Sequence, residues 1–175
     1  MPFDFKKLSV LVVEDTAPMR KLIASVLETM DVGQVYTAED GEKGYDMMRQ
    51  HNPDIVVADW HMEPVNGIEL TREVRTNALS PNRMVPVILV TGYSAMKRVA
   101  EARDAGVTEF MIKPFSANDL AKRIAYVINK PRDFIDAEGY FGPDRRRRVN
   151  AQYQGPWRRG EDTEHKSALS EIDMR

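Results

Sequence analysis

The chain has 175 residues and no cysteine. That excludes a disulfide framework, thiolate metal sites and cysteine nucleophiles, and it suits a reducing compartment. Excess charge is missing too: 25 Lys+Arg against 27 Asp+Glu leaves a formal net charge of −2. Bulk charge therefore gives no support to a nucleic-acid-binding polycation. No stretch approaches the ~20 consecutive apolar residues that span a bilayer. The apolar run inside MPFDFKKLSVLVVED is too short for a signal peptide and ends in acids. These absences predict a soluble, cytoplasmic protein without membrane insertion. What is present is a hydrophobic fraction of 42%, enough for the core of one ordinary domain with chain to spare.

The first 130 residues alternate between two textures. Short β-branched runs appear at Val10–Val13, Gln34–Thr37, Ile55–Ala58, Val87–Val90 and Glu109–Ile112. Helical spacing fills the intervals. In APMRKLIASVLETM the residues Met19, Leu22, Ile23, Val26, Leu27 and Met30 mark one face. Shorter patterns run through Gly41–Arg49, Gly67–Arg75, Ala95–Asp104 and Ala117–Ile128. Asn66 and Ser116 suit N-caps, and Gly106 suits a helix stop. Five strand–helix repeats predict an α/β fold, a doubly wound parallel sheet covered on both faces. The more polar QVYT reads as an edge strand. In such sheets ligands sit beyond the carboxyl ends of the strands, so the residues that close each strand matter most.

Those residues are Glu14 and Asp15 after the first strand, Asp59 after the third, Thr91 after the fourth and Lys113 after the fifth. Three converging carboxylates repel one another unless a cation sits among them. With no cysteine, a hard, oxygen-seeking ion fits best, and Mg²⁺ is the expected cofactor. A lysine supplies a point charge for a phosphoryl group, a threonine hydroxyl can donate to it, and a carboxylate can attack phosphorus. Each residue alone has a plainer reading. Asp59 could form a turn, Glu14–Asp15 could cap the next helix, and Thr91 could be an ordinary strand exit. It is their joint occurrence that points to phosphoryl chemistry.

With LVVED, DIVVADWHMEPVNGIEL, VILVTGYS and FMIKPF in place, residues 6–130 resemble the receiver domain of bacterial two-component response regulators, the CheY-like family. The resemblance implies a flavodoxin-like (βα)5 sheet in strand order 2-1-3-4-5. It implies that Asp59 is the phosphoacceptor. Mg²⁺ would be held by Asp15, Asp59, the backbone carbonyl of His61 and, through water, Glu14. Thr91 and Lys113 would grip the phosphoryl group, and Thr91 with Phe110 would form the switch. Lys113–Pro114 would be a cis peptide. The protein would be no turnover enzyme but a phosphoacceptor with self-catalysed transfer and dephosphorylation. Its partners would be a histidine kinase or phosphotransfer protein and a downstream target, with phosphorylation-dependent homodimerisation a further expectation. Three departures and one further position stand out. Glu14–Asp15 stands where the family often has Asp-Asp. Met62–Glu63 precedes Pro64 where the family usually has Met-Pro. Phe110 replaces the usual switch tyrosine. Tyr93 is bulky enough to shield an acyl phosphate, which predicts slow self-dephosphorylation.

Residues 131–175 read as an irregular, Arg-rich extension to the 1–130 domain, partly disordered or docked. Gly142–Gly160 holds six arginines and one aspartate, with GPDRR echoed by GPWRR. The extension is too short and aperiodic for a helix-turn-helix, so no DNA binding is expected. Arg145, Arg146, Arg147, Arg148, Arg158 and Arg159, with Trp157 and Tyr153, combine cations and π surfaces. This looks like the arginine-rich tails of CheY-like proteins that bind cyclic di-GMP. The plainer reading is a solvated basic run balanced by GEDTE. A haloacid-dehalogenase-like phosphatase would need an acid two residues past its nucleophile on strand one, and Ala17 stands there.

Overall fold

The structure, a computed structural model, describes residues 4–92 and 98–145. A 3₁₀ turn, Phe5–Lys7, leads into β1 (Ser9–Val13), α1 (Ala17–Thr29), β2 (Gln34–Ala38), α2 (Gly41–His51) and β3 (Ile55–Asp59). Then come α3 (Gly67–Thr76), β4 (Val87–Thr91), α4 (Val99–Ala105), β5 (Glu109–Ile112) and α5 (Ala117–Asn129). The five strands are parallel, in the order β2-β1-β3-β4-β5. This is the flavodoxin-like order expected from the sequence, with the polar β2 at one edge.

Alternation along the strands builds a core on each face of the sheet. Val10, Val12, Ile55, Val57, Ile88 and Val90 pack with Ile23 and Leu27 of α1 and Leu120 and Ile124 of α5. Leu11, Val13, Val56, Ala58 and Val87 pack with Met48 of α2 and Leu70 and Val74 of α3. A third cluster joins Trp60, Ile68 and Leu89 to Ala102 and Ala105 of α4. Because β3 and β4 are buried on both sides, they read as continuous apolar runs.

Local chemistry sets the helix ends. Asn66 and Glu69 close a capping box at α3, and Ser116 and Asp119 do the same at α5. Gly106 ends α4 in the left-handed region at φ 94°. Several helices run slightly past the limits read from the sequence: α2 continues beyond Arg49 to His51, α3 beyond Arg75 to Thr76, α4 beyond Asp104 to Ala105 and α5 beyond Ile128 to Asn129. The start expected for α4, at Ala95, lies outside the described residues. No helix among the described residues is long and apolar enough to cross a membrane.

The start of the extension contains an element that sequence periodicity did not reveal. An antiparallel hairpin pairs β6 (Phe134–Ala137) with β7 (Tyr140–Pro143). It docks on α3 and α4 through arginines. Arg75, only 1% exposed, donates from Nε to the Gly106 carbonyl (3.1 Å) and from Nη1 to the Arg83 carbonyl (2.7 Å). Its guanidinium lies 5.0 Å from the Phe134 ring centre, and that of Arg83 lies 4.0 Å from the Phe141 ring centre. Arg132 Nη1 donates to the Thr108 carbonyl at 3.1 Å. Four-residue strands carry too short a pattern to stand out, and their anchors lie some sixty residues upstream.

Candidate functional site

The four strand ends named from the sequence meet at one end of the sheet. β1 delivers Glu14, 1% exposed, and the exposed Asp15. β3 delivers Asp59 at 8% exposure, and β4 delivers the buried Thr91. One carboxylate oxygen from each of Glu14, Asp15 and Asp59 lies within 4.8 Å of the others. Lys113 Nζ bridges two of them, 3.2 Å from Glu14 Oε2 and 3.2 Å from Asp59 Oδ1. The Lys113 N–H donates to the Thr91 carbonyl at 2.8 Å, tying the ends of β4 and β5 together. The Thr91 hydroxyl donates to the Gly92 carbonyl at 3.3 Å. Lys113–Pro114 is cis, and so is Glu63–Pro64 in the loop where the motif departs from the family pattern.

The electrostatics are frustrated. Burial raises the Asp59 pKa above the usual carboxylate range, against the pull of Lys113. Glu14 is raised as well, first by burial and then by the charge of Asp59, while the Thr16 N–H and Lys113 pull it back. Burial alone would lower Lys113, but Asp59 and Glu14 outweigh it and the ammonium is held more firmly. Among the described residues, one lysine thus serves two buried carboxylates with a third beside them. An all-oxygen donor set short of positive charge suits a hard divalent cation, so the residues fit Mg²⁺.

Neighbouring residues hold this arrangement, and sequence reasoning singled out none of them for it. Gly67 opens α3 directly over the end of β3. A Cβ there would sit 2.3 Å from the Asp59 carbonyl oxygen and 2.7 Å from Leu89 Cδ1, so only glycine permits the approach. Trp60, 3% exposed, donates its N–H to the Val90 carbonyl (2.9 Å) and accepts from the Gly67 N–H (3.0 Å). Arg20 Nη1 donates to the Glu14 carbonyl at 2.7 Å and more weakly to that of Asp15 at 3.4 Å. None of the three lies in a pattern that spacing alone would flag.

The other expected residues are placed as follows. The imidazole of His61 is exposed beside the Trp60 ring, 6.2 Å between centres. Phe110 is half-buried against the Trp60–Leu89 cluster. Arg145 is ion-paired with Asp104 and lies 4.5 Å from the Tyr140 ring centre. Tyr93, Arg146, Arg147, Arg148, Tyr153, Trp157, Arg158 and Arg159 lie outside the described residues.

Comparison with known proteins agrees with this geometry. The family model of the response regulator receiver domain matches residues 10–125. The chain is 31% identical over 123 residues to the chemotaxis protein CheY of Pseudomonas aeruginosa, covering 70% of this chain and 98% of that protein. It is 32% identical over 130 residues to the transcriptional regulatory protein PdtaR of Mycobacterium tuberculosis, covering 74% of this chain and 61% of that one. Among solved structures, the receiver domain of the Francisella response regulator 1452 superposes with a TM-score of 0.64 at 25% identity, over 72% of this chain and all of that one, 100%. The parallel sheet, the acidic strand ends and these matches together place the chain in the response regulator receiver domain family of two-component signalling.

Proposed function

We propose that this receiver is phosphorylated on Asp59 by a histidine kinase or phosphotransfer protein, and that it signals by phosphorylation-dependent binding to a target protein. One observation carries the reading. A mostly buried carboxylate closes the central strand, paired at 3.2 Å with Lys113 and crowded by Glu14 and Asp15. An Asp59 oxygen attacks phosphorus, the phosphorus–nitrogen bond of the donor phosphohistidine breaks, and the leaving imidazole takes up a proton. Asp15, Asp59, the His61 carbonyl and, through water, Glu14 would hold Mg²⁺. When bound, the ion supplies charge neutralisation for the phosphoryl oxygens. Lys113 is already at the acceptor oxygen and donates to the incoming group. Thr91 exchanges its weak 3.3 Å bond to Gly92 for a phosphoryl oxygen. That motion opens space toward which the half-buried Phe110 can turn, and the altered surface is what a target, or a second copy of the chain, reads.

Phosphoryl transfer is preferred over cyclic di-GMP binding because Arg145 is already engaged by Asp104 and Tyr140. The test is incubation with a small phosphodonor and Mg²⁺, read by intact mass. Wild type should gain one phosphoryl group and Asp59→Asn none. Equal labelling of the variant would sink the assignment. Titration with cyclic di-GMP, in parallel with an Arg145–Arg148 alanine variant, tests the other reading.

A further inference from the structure

The β1–α1 junction carries the two acids nearest the solvent, yet it lacks the usual fastening. α2 begins with Asp40 accepting from the Lys43 N–H, and α3 and α5 begin with full capping boxes. α1 begins with Thr16, whose side chain makes no capping bond; its hydroxyl donates instead to Asp15 Oδ1 at 3.3 Å. Glu14 is anchored independently, through Lys113 and through the Thr16 N–H at 3.2 Å. Among the described residues Asp15 has no comparable anchor, and its side chain is exposed.

Arg20 supplies the missing restraint. It sits one turn into α1, its own N–H bonded to the Thr16 carbonyl at 2.9 Å. Its half-buried side chain folds back along the helix to the Glu14 and Asp15 carbonyls at 2.7 and 3.4 Å. Both contacts leave from Nη1: the planar guanidinium holds that nitrogen and its two hydrogens in a fixed direction, so one group reaches two successive carbonyls. With those carbonyls drawn toward α1, the chain direction at Asp15 is set and its carboxylate faces Glu14 and Asp59. Resting on the Mg²⁺ reading above, we infer that Arg20 is a positioning residue for the metal-binding pair. It orders the Asp15 backbone and touches neither phosphate nor ion.

A charge effect and a positioning effect have opposite signs here. A guanidinium beside an acidic site repels a cation, so its removal should tighten Mg²⁺ binding if charge were its main contribution. If it positions Asp15, its removal should weaken binding, by about tenfold on the scale of other residues that orient metal ligands. The experiment is a Mg²⁺ titration read by fluorescence of Trp60, which adjoins Asp59, in chains carrying Trp157→Phe so that a single indole remains. Thermal unfolding in EDTA runs alongside. Arg20→Ala should bind about tenfold more weakly, and Arg20→Lys, with the charge kept and the rigid planar donor lost, should fall between it and wild type. Unfolding midpoints in EDTA should stay within a few degrees, about the effect of one lost hydrogen bond. Unchanged or tighter binding in Arg20→Ala overturns the inference. So does a lost affinity matched by a large fall in metal-free stability, which would make Arg20 simply structural. If wild type itself gives no saturable response, the acidic trio is not a Mg²⁺ site and the inference falls with it. If wild type binds and only the Arg20 comparison fails, the proposed function stands.

Discussion

Replacing Asp59 with asparagine should stabilise the metal-free protein yet leave it less stable than wild type in Mg²⁺. The sign follows from the site. At 3.2 Å, Lys113 attracts the Asp59 carboxylate by about 5 kcal/mol at an effective dielectric constant near 20. Glu14, within 4.8 Å, repels it by about 3.5 kcal/mol or more on the same footing. The Coulomb terms nearly cancel, with Asp15 adding a screened repulsion, so desolvation of a group only 8% exposed decides. Asparagine keeps the shape and an acceptor for Lys113 without the charge. A gain on the order of 1–3 kcal/mol is expected.

The pH dependence sharpens this test. A carboxyl with a raised folded pKa binds more protons folded than unfolded. Its stabilising effect is complete below the unfolded value of about 4 and is lost as pH rises through the folded one. Wild type and Asp59→Asn should therefore be close in stability in mild acid and diverge toward neutrality. Saturating Mg²⁺ reverses the order, since the variant forfeits binding that contributes about 4.1 kcal/mol at one thousand times Kd. Urea unfolding across that pH range, in EDTA and in Mg²⁺, measures all of this. A variant less stable than wild type in EDTA at neutral pH would refute the argument.

Lys113→Ala removes a cation bonded to two buried carboxylates and should cost about 2–4 kcal/mol in EDTA by urea unfolding, after allowance for its partial exposure. Gly67→Ala forces a Cβ to 2.3 Å from the Asp59 carbonyl, so phosphoacceptance should collapse in the phosphodonor assay and stability should fall by about 2 kcal/mol or more. Arg75→Ala leaves the Gly106 and Arg83 carbonyls without their donors and should cost about 2–4 kcal/mol. In a double-mutant cycle with Phe134→Ala, a coupling of about 0.5–2 kcal/mol should report the hairpin contact.

How much of this was legible in the sequence depended on the range of the signal. Strand and helix identities are local patterns, and β1, β3 and β4 announced themselves because burial on both faces demands unbroken apolar text. The strand-end acids were legible because topology brings every strand end to one place once the sheet is known. The N-caps Asn66 and Ser116 act within one turn and were readable too, though not their capping-box partners Glu69 and Asp119. Arg20, Gly67 and Arg75 were not, since each matters through a backbone atom that only the folded chain brings near. Arg75 reads as the polar side of α3 until the hairpin covers it. Its guanidinium then needs carbonyls from the α4–β5 turn and the α3–β4 loop, groups that carry no side-chain signature.

The site is frustrated where the apolar cores that frame it are not. Most of its frame is locally consistent: the cores are apolar, and α3 and α5, which follow Asp59 and Lys113, are capped. Against that rigid background, two buried carboxylates share one ammonium, and a threonine hydroxyl makes only a long bond to the adjacent carbonyl. A site fully satisfied at rest would have little to gain from a new ligand. One held short of positive charge gains from a divalent ion, and a loosely bonded hydroxyl gains from a phosphoryl oxygen. On the proposed function, the energy stored by burying Asp59 brings the two states of the receiver close enough for phosphate to choose between them. Neutralising Glu14 as well as Asp59 should remove that store. A Glu14→Gln, Asp59→Asn double variant should be more stable in EDTA than either single variant by urea unfolding, and should lose its response to Mg²⁺. A double variant no more stable than Asp59→Asn would mean that the charge of Glu14 adds nothing to the stored energy.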